Sequence, residues 1–223
     1  MSPPKWFLLV SLLLCVSPVL ADVTFDVSSS SSSASTASLS WSHAGGTLTN
    51  GVVVVGVNLA SSARTVTSVT FNGVGLTQAH RQSNAITATE IWRLVAPANG
   101  TNTVVVNLDS AGELVSGACT FNGADQTTPL TGITGANAAS LVITSTSGDI
   151  AIAALTNQDF AFITSGTERW SVVVTTIDGS GGTIAGASPN VTLSWTATAN
   201  PTIAGANVQK VQSGGVARRR VIN

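Results

Sequence analysis

The chain has 223 residues, of which 43% are hydrophobic and only 9% are charged, and Gly, Ser, Thr and Ala dominate it. The helix formers Glu, Lys, Gln and Met are rare, a composition that disfavours helices and favours short strands joined by turns. Outside the first 21 residues and the terminal arginine cluster, 5 cations stand against 10 acids. A mildly acidic body repels phosphate backbones, which argues against nucleic-acid binding by the folded domain.

The first 21 residues have the three parts of a secretory signal peptide. Lys5 supplies the positive charge, an apolar run of 11 residues covers 6–16, and the segment 17–21 (SPVLA) ends in small residues that suit signal peptidase. We predict cleavage before Asp22 and a protein that is secreted, extracellular or displayed at the cell surface. The apolar run is too short for a membrane-spanning helix, which needs roughly 20 apolar residues, and no transmembrane segment is predicted elsewhere.

Low-complexity segments flank the predicted domain on both sides. Residues 22–35 contain an uninterrupted serine run at 28–33, which is too polar and flexible for a central strand and indicates a loop or a solvated edge. Residues 211–223 are predicted to form a disordered basic tail that ends in Arg218, Arg219 and Arg220. Residues 36–210 remain as one β-sandwich domain, a normal size for a single core.

Between these flanks lie 13 short segments with the composition of strands. In chain order they are 38–42, 52–58, 65–71, 76–81, 87–95, 103–108, 114–121, 140–144, 149–155, 169–177, 183–187, 191–197 and 202–208. Turn signals separate them at Asn72-Gly73, Asn99-Gly100, Asn122-Gly123, Asp178-Gly179 and Gly181-Gly182. Many short strands at even spacing, with no helical pattern between them, predict an all-β sandwich or barrel.

Alternation of apolar and polar residues predicts which strand faces are dry. Leu39 and Trp41 alternate with serines, and Leu193 and Trp195 alternate with serine and threonine, so both pairs are predicted to point into a core. Residues 52–55 are four consecutive valines, apolar on both faces. That strand is therefore predicted to be central and covered on both sides.

Three segments carry a resemblance to a known family: 69–77 (VTFNGVGLT), 90–97 (EIWRLVAP) and 121–129 (FNGADQTTP). They resemble segments of a poorly characterised family of secreted bacterial and phage-associated β-sandwich domains, whose fold is described as similar to the concanavalin-A-like jelly roll. The resemblance covers residues 36–208 and implies a two-sheet antiparallel β-sandwich of jelly-roll type, used on extracellular or virion surfaces. It transfers no catalytic residue.

The candidate ligand-binding residues are Trp170, Glu90 and Trp92. Sugar binding usually relies on exposed aromatic rings, and Trp170 follows a polar stretch, which makes it the predicted most exposed tryptophan. Packing of that ring in the core or at an edge is the favoured alternative. Glu90 and Trp92 share a strand face, as carboxylates and aromatic rings do in sugar clefts, whereas the simpler interpretation makes Glu90 a rim residue.

Catalytic and metal-binding sets are not predicted. No glutamate is paired with another acid along a strand, as glycosidases would favour, and the serines have no nucleophile motif and no evident histidine and acid set. His43 and His80 lack neighbouring metal ligands and are interpreted as surface residues, and Cys119 is predicted to be buried and inert. No cofactor is predicted, although a structural calcium ion bound by loop oxygens is left open. The aspartates in predicted loops are Asp109, Asp125, Asp159 and Asp178.

Three functional hypotheses follow. The favoured one is a non-catalytic surface module for adhesion, which binds a glycan or a cell-surface or virion protein through loops on a rigid scaffold. The second is a structural component of a virion or extracellular assembly. The third is a glycan-cleaving enzyme on a jelly-roll scaffold, with Glu90 as its best candidate residue.

Overall fold

The computed structural model describes residues 21–211, apart from Phe160, Ser188, Thr198 and the side chain of Phe162. Residues 1–20 of the predicted signal peptide and residues 212–223 of the predicted basic tail lie outside this description. The described chain is built from strands and antiparallel sheets, so the prediction of an antiparallel all-β domain is confirmed. Within residues 21–211, no described helix is long and apolar enough to cross a membrane.

Fifteen strands make up the described chain. They are β1 (Thr24–Ala44), β2 (Val52–Leu59), β3 (Val66–Phe71), β4 (Val74–Gly75), β5 (Thr77–Ser83), β6 (Ala88–Val95), β7 (Thr101–Asn122), β8 (Leu130–Ala136), β9 (Ser140–Thr144), β10 (Ile150–Asn157), β11 (Phe162–Ser165), β12 (Thr167–Val173), β13 (Asp178–Ala185), β14 (Asn190–Thr196) and β15 (Thr202–Val208).

The strands form three sheets. The first sheet has seven strands in the order β4-β3-β7-β2-β6-β5, with β1 also paired to β7. The second sheet has the order β12-β13-β10-β15-β8, and the third has the order β11-β14-β9. The prediction of two sheets around one core therefore gave too few sheets, because it did not separate the strands of the second half into two layers.

The first sheet folds back on itself through its two longest strands. β7 pairs with β3 through residues 104–108 and with β2 through residues 114–121, while β1 follows β7 along both halves. Register shifts between Ser33 and Ser38 mark the bend in β1. Ser29 and His43 are 14 residues apart, a separation that would span roughly 46 Å in a straight strand, yet their side chains are hydrogen-bonded.

Three apolar clusters fill the spaces between the resulting four layers. The first lies inside the folded first sheet, the second between the first and second sheets, and the third between the second and third sheets. In β2, Val53 and Val55 belong to the first cluster and Val52 and Val54 to the second, which confirms a central strand buried on both faces. β10 divides its residues between the second and third clusters in the same way.

The predicted dry faces are confirmed. Leu39, Leu193 and Trp195 are buried, and Trp41 is half-buried against the first cluster. The serine run at 28–33 lies within β1, which pairs only with β7 among the described strands, so it forms the solvated edge rather than a loop. The predicted boundary between residues 35 and 36 falls inside this strand.

Two of the predicted turns are wrong. Asn72-Gly73 does join β3 to β4, with φ angles of 51° and 76° that glycine and asparagine adopt most readily. Asp178-Gly179 and Gly181-Gly182, however, lie within β13. Their glycines serve close packing instead of chain reversal, because large side chains from neighbouring strands occupy the space beside them.

Candidate functional site

Trp170 is a core residue. Its side chain belongs to the second apolar cluster, where its ring packs against Gly56, Gly117 and Gly181, and only 5% of the residue is exposed. Trp170 is not the most exposed tryptophan, since Trp41 is more exposed, but the favoured alternative, packing of the ring in the core or at an edge, is confirmed. The ring fills the space left by three glycines, and this burial leaves almost none of its surface for stacking on a sugar.

Glu90 and Trp92 do share a face of β6, but that face is buried. Trp92 Nε1 and Gln78 Nε2 each donate a hydrogen bond to Glu90 Oε2, both at 2.8 Å, and Arg81 Nη1 forms an ion pair with Glu90 Oε1. Glu90 is only 1% exposed, so it is not the rim residue that the simpler interpretation predicted. Arg81 also donates to the carbonyl oxygen of Ser62 at 2.8 Å, so the ion pair ties the loop before β3 to the sheet.

The three predicted ligand-binding residues are not brought together. Trp92 lies in the first apolar cluster, inside the folded first sheet, whereas Trp170 lies in the second cluster, on the other side of β2. The remaining glutamates are also engaged separately. Glu113 accepts hydrogen bonds from the backbone and hydroxyl of Thr176, both at 2.6 Å, while Glu168 is exposed on β12.

A cleft of about 420 Å³ lies beside Arg169, between the start of β1, the turn before β10, and strands β12 and β13. Arg169 Nε donates a hydrogen bond to Thr183 Oγ1 at 2.7 Å, and the guanidinium carbon lies 3.6 Å from the centre of the Phe25 ring. Neither terminal guanidinium nitrogen forms a hydrogen bond or ion pair with any described residue. Partial burial lowers the pKa of Arg169, but an arginine side chain stays charged at neutral pH.

The two acids that line this cleft have partners of their own. Asp149 is buried, and its Oδ2 accepts hydrogen bonds from Thr146 Oγ1 at 2.7 Å and Asn207 Nδ2 at 2.8 Å. Its Oδ1 accepts a bond from the backbone nitrogen of Lys210 at 2.9 Å. Asp22 is exposed and lies 3.4 Å from Lys210 Nζ. Among the described residues that line the cleft, Arg169 is thus the charged side chain whose terminal N–H groups have no hydrogen-bonding partner.

The interpretation of His43 as a surface residue is wrong. His43 lies near the end of β1, is fully buried, and bonds through Nδ1 to Ser29 Oγ at 2.7 Å and through Nε2 to Thr120 Oγ1 at 3.2 Å. Burial lowers the pKa of His43, while the negative charge of Asp26 raises it by a smaller amount. Sequence spacing gave no sign of this cluster, because the bend in β1 and the pairing with β7 bring its members together.

Among the described residues, Cys119 and His80 neither line the Arg169 cleft nor hydrogen-bond to His43. Cys119 is buried, as predicted, and burial raises the pKa of its thiol far above the ordinary value. His80 is half-buried on β5, and its Nε2 atom is buried without a hydrogen-bonding partner among the described residues.

Two of the four aspartates predicted to lie in loops lie in strands instead. Asp109 belongs to β7, and Asp178 is the first residue of β13. Asp178 is buried, its Oδ2 accepts a hydrogen bond from the backbone nitrogen of Ala161 at 2.7 Å, and burial raises its pKa. Residues 21–211, so far as they are described, hold no group of three or more His, Cys, Asp or Glu side chains suited to a metal ion. A calcium ion bound by loop oxygens stays a prediction.

Comparisons with protein-family models, curated proteins and solved structures found no match to this chain. The resemblance to secreted β-sandwich domains, with its jelly-roll connectivity, therefore stays a prediction. Two polar clusters of the fold carry the candidate functional groups, one beside Arg169 and one around His43.

Proposed function

We propose that this protein is a binding module of the extracellular space or cell surface, and that it takes an anionic group of its ligand in the cleft beside Arg169. The observation that carries this proposal is the state of the Arg169 guanidinium, which borders a cleft of about 420 Å³ with both terminal nitrogens unpaired among the described residues. The predicted signal peptide supports the location.

The geometry of Arg169 suits a carboxylate. A guanidinium presents parallel N–H donors that match the two oxygens of a carboxylate, and such charge-assisted pairs are stronger than neutral hydrogen bonds. The bond from Nε to Thr183 and the contact with the Phe25 ring hold the group in place before a ligand arrives. A side chain that is already ordered loses less conformational entropy on binding.

The rest of the lining favours a glycan as the carrier of that carboxylate. Three residues with hydroxyl groups, Ser147, Thr167 and Thr183, line the same cleft together with two glycines, and the exposed Asp22 adds acceptors for sugar hydroxyls. Alternating donors and acceptors suit a polyhydroxylated ligand, while one guanidinium fixes the acidic group. An acidic saccharide is therefore the ligand class that this cleft fits best.

A glycan array with matched acidic and neutral saccharides, followed by calorimetry on the hits, tests this proposal. The protein is expected to bind carboxylated saccharides and to lose affinity for their carboxyl-reduced analogues. Arg169→Gln is expected to weaken binding by about 10- to 100-fold, the loss of one charge-assisted pair. Arg93→Gln, which removes a half-buried arginine of β6, is the matched control and keeps full affinity. Equal binding of neutral and acidic saccharides, or unchanged affinity in Arg169→Gln, would reject the proposal.

Assembly with copies of itself is a second candidate function, which the outer edge of β1 favours. β1 has 21 residues and pairs with β7 alone among the described strands, and its serine run has none of the charges or prolines that usually block edge pairing. Size-exclusion chromatography of the wild type and of a Ser30→Lys, Ser32→Lys double variant separates the two states. A monomer in both cases would exclude assembly through this edge.

A further inference from the structure

A chain of polar side chains crosses the fold of β1 and β7, on the opposite face of β1 from the Arg169 cleft. Ser29 Oγ lies 2.7 Å from His43 Nδ1, and His43 Nε2 lies 3.2 Å from Thr120 Oγ1. Thr120 Oγ1 in turn donates a hydrogen bond to Asp26 Oδ2 at 2.9 Å. A serine, a histidine and an acid are thus connected in series, with a threonine hydroxyl between the last two.

The direction of each hydrogen bond follows from the chemistry of the end groups. An ionised Asp26 only accepts, so the Thr120 hydroxyl donates to it and must accept from His43 Nε2–H. His43 Nδ1 then carries the lone pair and accepts from the Ser29 hydroxyl. The lowered pKa of His43 agrees with a neutral ring. This is the orientation in which a histidine removes the proton of a serine nucleophile.

The surroundings divide the cluster into a buried base and an accessible nucleophile. His43 is fully buried, whereas Ser29 is half-buried on β1, which pairs with no described strand other than β7. Access of an electrophile to Ser29 Oγ would therefore be from the edge of β1. Trp41 Nε1 donates a hydrogen bond to the same Oγ at 2.9 Å, which holds the hydroxyl in place and stabilises the negative charge that develops on it as its proton leaves.

We propose that Ser29 is a nucleophile activated by His43, and that this edge of the sheet cleaves small acyl esters. Ser29 Oγ attacks the ester carbonyl carbon while its proton moves to His43 Nδ1. The bond to the alcohol oxygen breaks, and the departing alcohol takes that proton. Water then attacks the acyl group on Ser29 and gives a proton to His43 Nδ1, which returns it to Ser29 as the acid is released. Asp26, acting through Thr120, is a positioning residue that stabilises the positively charged histidine.

Labelling with a fluorophosphonate probe, followed by peptide mapping, tests the proposal on the wild-type protein. The label is expected on Ser29, and a slowly hydrolysed acyl ester such as p-nitrophenyl acetate should leave its acetyl group on the same residue. Ser29→Ala is expected to abolish both modifications. Ser31→Ala is the matched control, because Ser31 lies on the same face two residues further along β1, and it is expected to label like the wild type.

His43→Gln is expected to slow labelling by at least about 100-fold, the usual contribution of a positioned general base. Asp26→Asn distinguishes an electrostatic role of Asp26 from a purely structural one. Loss of its negative charge should lower the pKa of His43 and shift the pH dependence of labelling to lower pH, which a structural role would not do. An unlabelled wild-type protein, a label mapped to another residue, or equal labelling of Ser29→Ala would overturn the proposal. Saccharide binding at Arg169 is measured separately, so one proposal can fail while the other holds.

Discussion

The indole ring of Trp170 occupies the space in which a side chain at position 181 would stand. A β-carbon built on Gly181 would overlap the six-membered part of the ring, and one on Gly117 would overlap its centre. The two glycines belong to β13 and β7, one strand in each of the sheets that enclose the second apolar cluster. Trp170 therefore joins the sheets by packing into gaps on both sides.

Gly181→Ala is expected to destabilise the fold by about 1–3 kcal/mol, the usual effect of adding a methylene to a filled core. Gly75→Ala is the control, because a methyl group there meets nothing within 4 Å and the backbone is not in the left-handed region. Urea unfolding followed by tryptophan fluorescence gives both free energies. Equal midpoints for the two variants would show that the ring has room to move.

Asp178→Asn is expected to stabilise the protein at neutral pH. Asp178 Oδ1 and Asn157 Oδ1 are buried without partners among the described residues, and the two residues are directly opposite each other on β13 and β10. An amide nitrogen at position 178 could donate to Asn157 and would remove the buried charge, a gain of about 1 kcal/mol from the hydrogen bond alone.

The pH dependence of this gain has a defined sign. Burial raises the pKa of Asp178 in the folded state. At acid pH the carboxyl is protonated, so its burial does not lower the stability of the wild type, and that stability decreases as pH rises through the raised pKa. The difference between Asp178→Asn and the wild type should therefore be larger at pH 7.5 than at pH 4, as measured by thermal melting. Asp22→Asn, which changes an exposed carboxylate, should leave the melting temperature nearly unchanged at both values.

Much of the fold follows from local patterns, whereas its layering does not. The alternation in β14 and the four valines of β2 predicted which faces are buried, because strand periodicity depends only on neighbouring residues. β8 was not predicted because it contains Gly132 and Gly135, which weaken the signal of a strand. The bend in β1 and β7 has no local signature, so the sequence could not predict that one sheet forms two layers.

The two polar clusters could not be predicted for the same reason, since their members lie far apart in the sequence. Ser29 and Thr120 lie 14 and 77 residues from His43, and only the folded first sheet joins them. Arg169 and Phe25 likewise come from β12 and β1, strands of different sheets. Sequence patterns favoured aromatic and acidic residues as binding groups, but Trp170 and Glu90 are buried in the core.

His43 is expected to make the protein less stable in acid. Its pKa is lowered in the folded state, so the unfolded chain binds a proton more readily below about pH 6.5. The stability that comes from the neutral buried ring is present above that value and is lost as pH falls through the lowered pKa. Urea unfolding between pH 7.5 and 5 should show a steeper loss for the wild type than for His43→Gln. NMR titration of the ring gives the pKa directly, and a midpoint above 6.5 would contradict the expectation.

Removing one partner of the ion pair between Arg81 and Glu90 is expected to lower the stability of the fold strongly, whereas replacing both partners is expected to lower it less. Arg81→Met leaves the Glu90 carboxylate buried with only two neutral donors, so it should cost about 3–5 kcal/mol, as for other buried pairs that lose one partner. The double variant Arg81→Met, Glu90→Gln removes the buried charge as well and should recover part of that loss. Chemical unfolding of the single and double variants measures the coupling. If the double variant is less stable than Arg81→Met alone, the cost comes from the lost bonds of Arg81 to the loop rather than from the unpaired carboxylate.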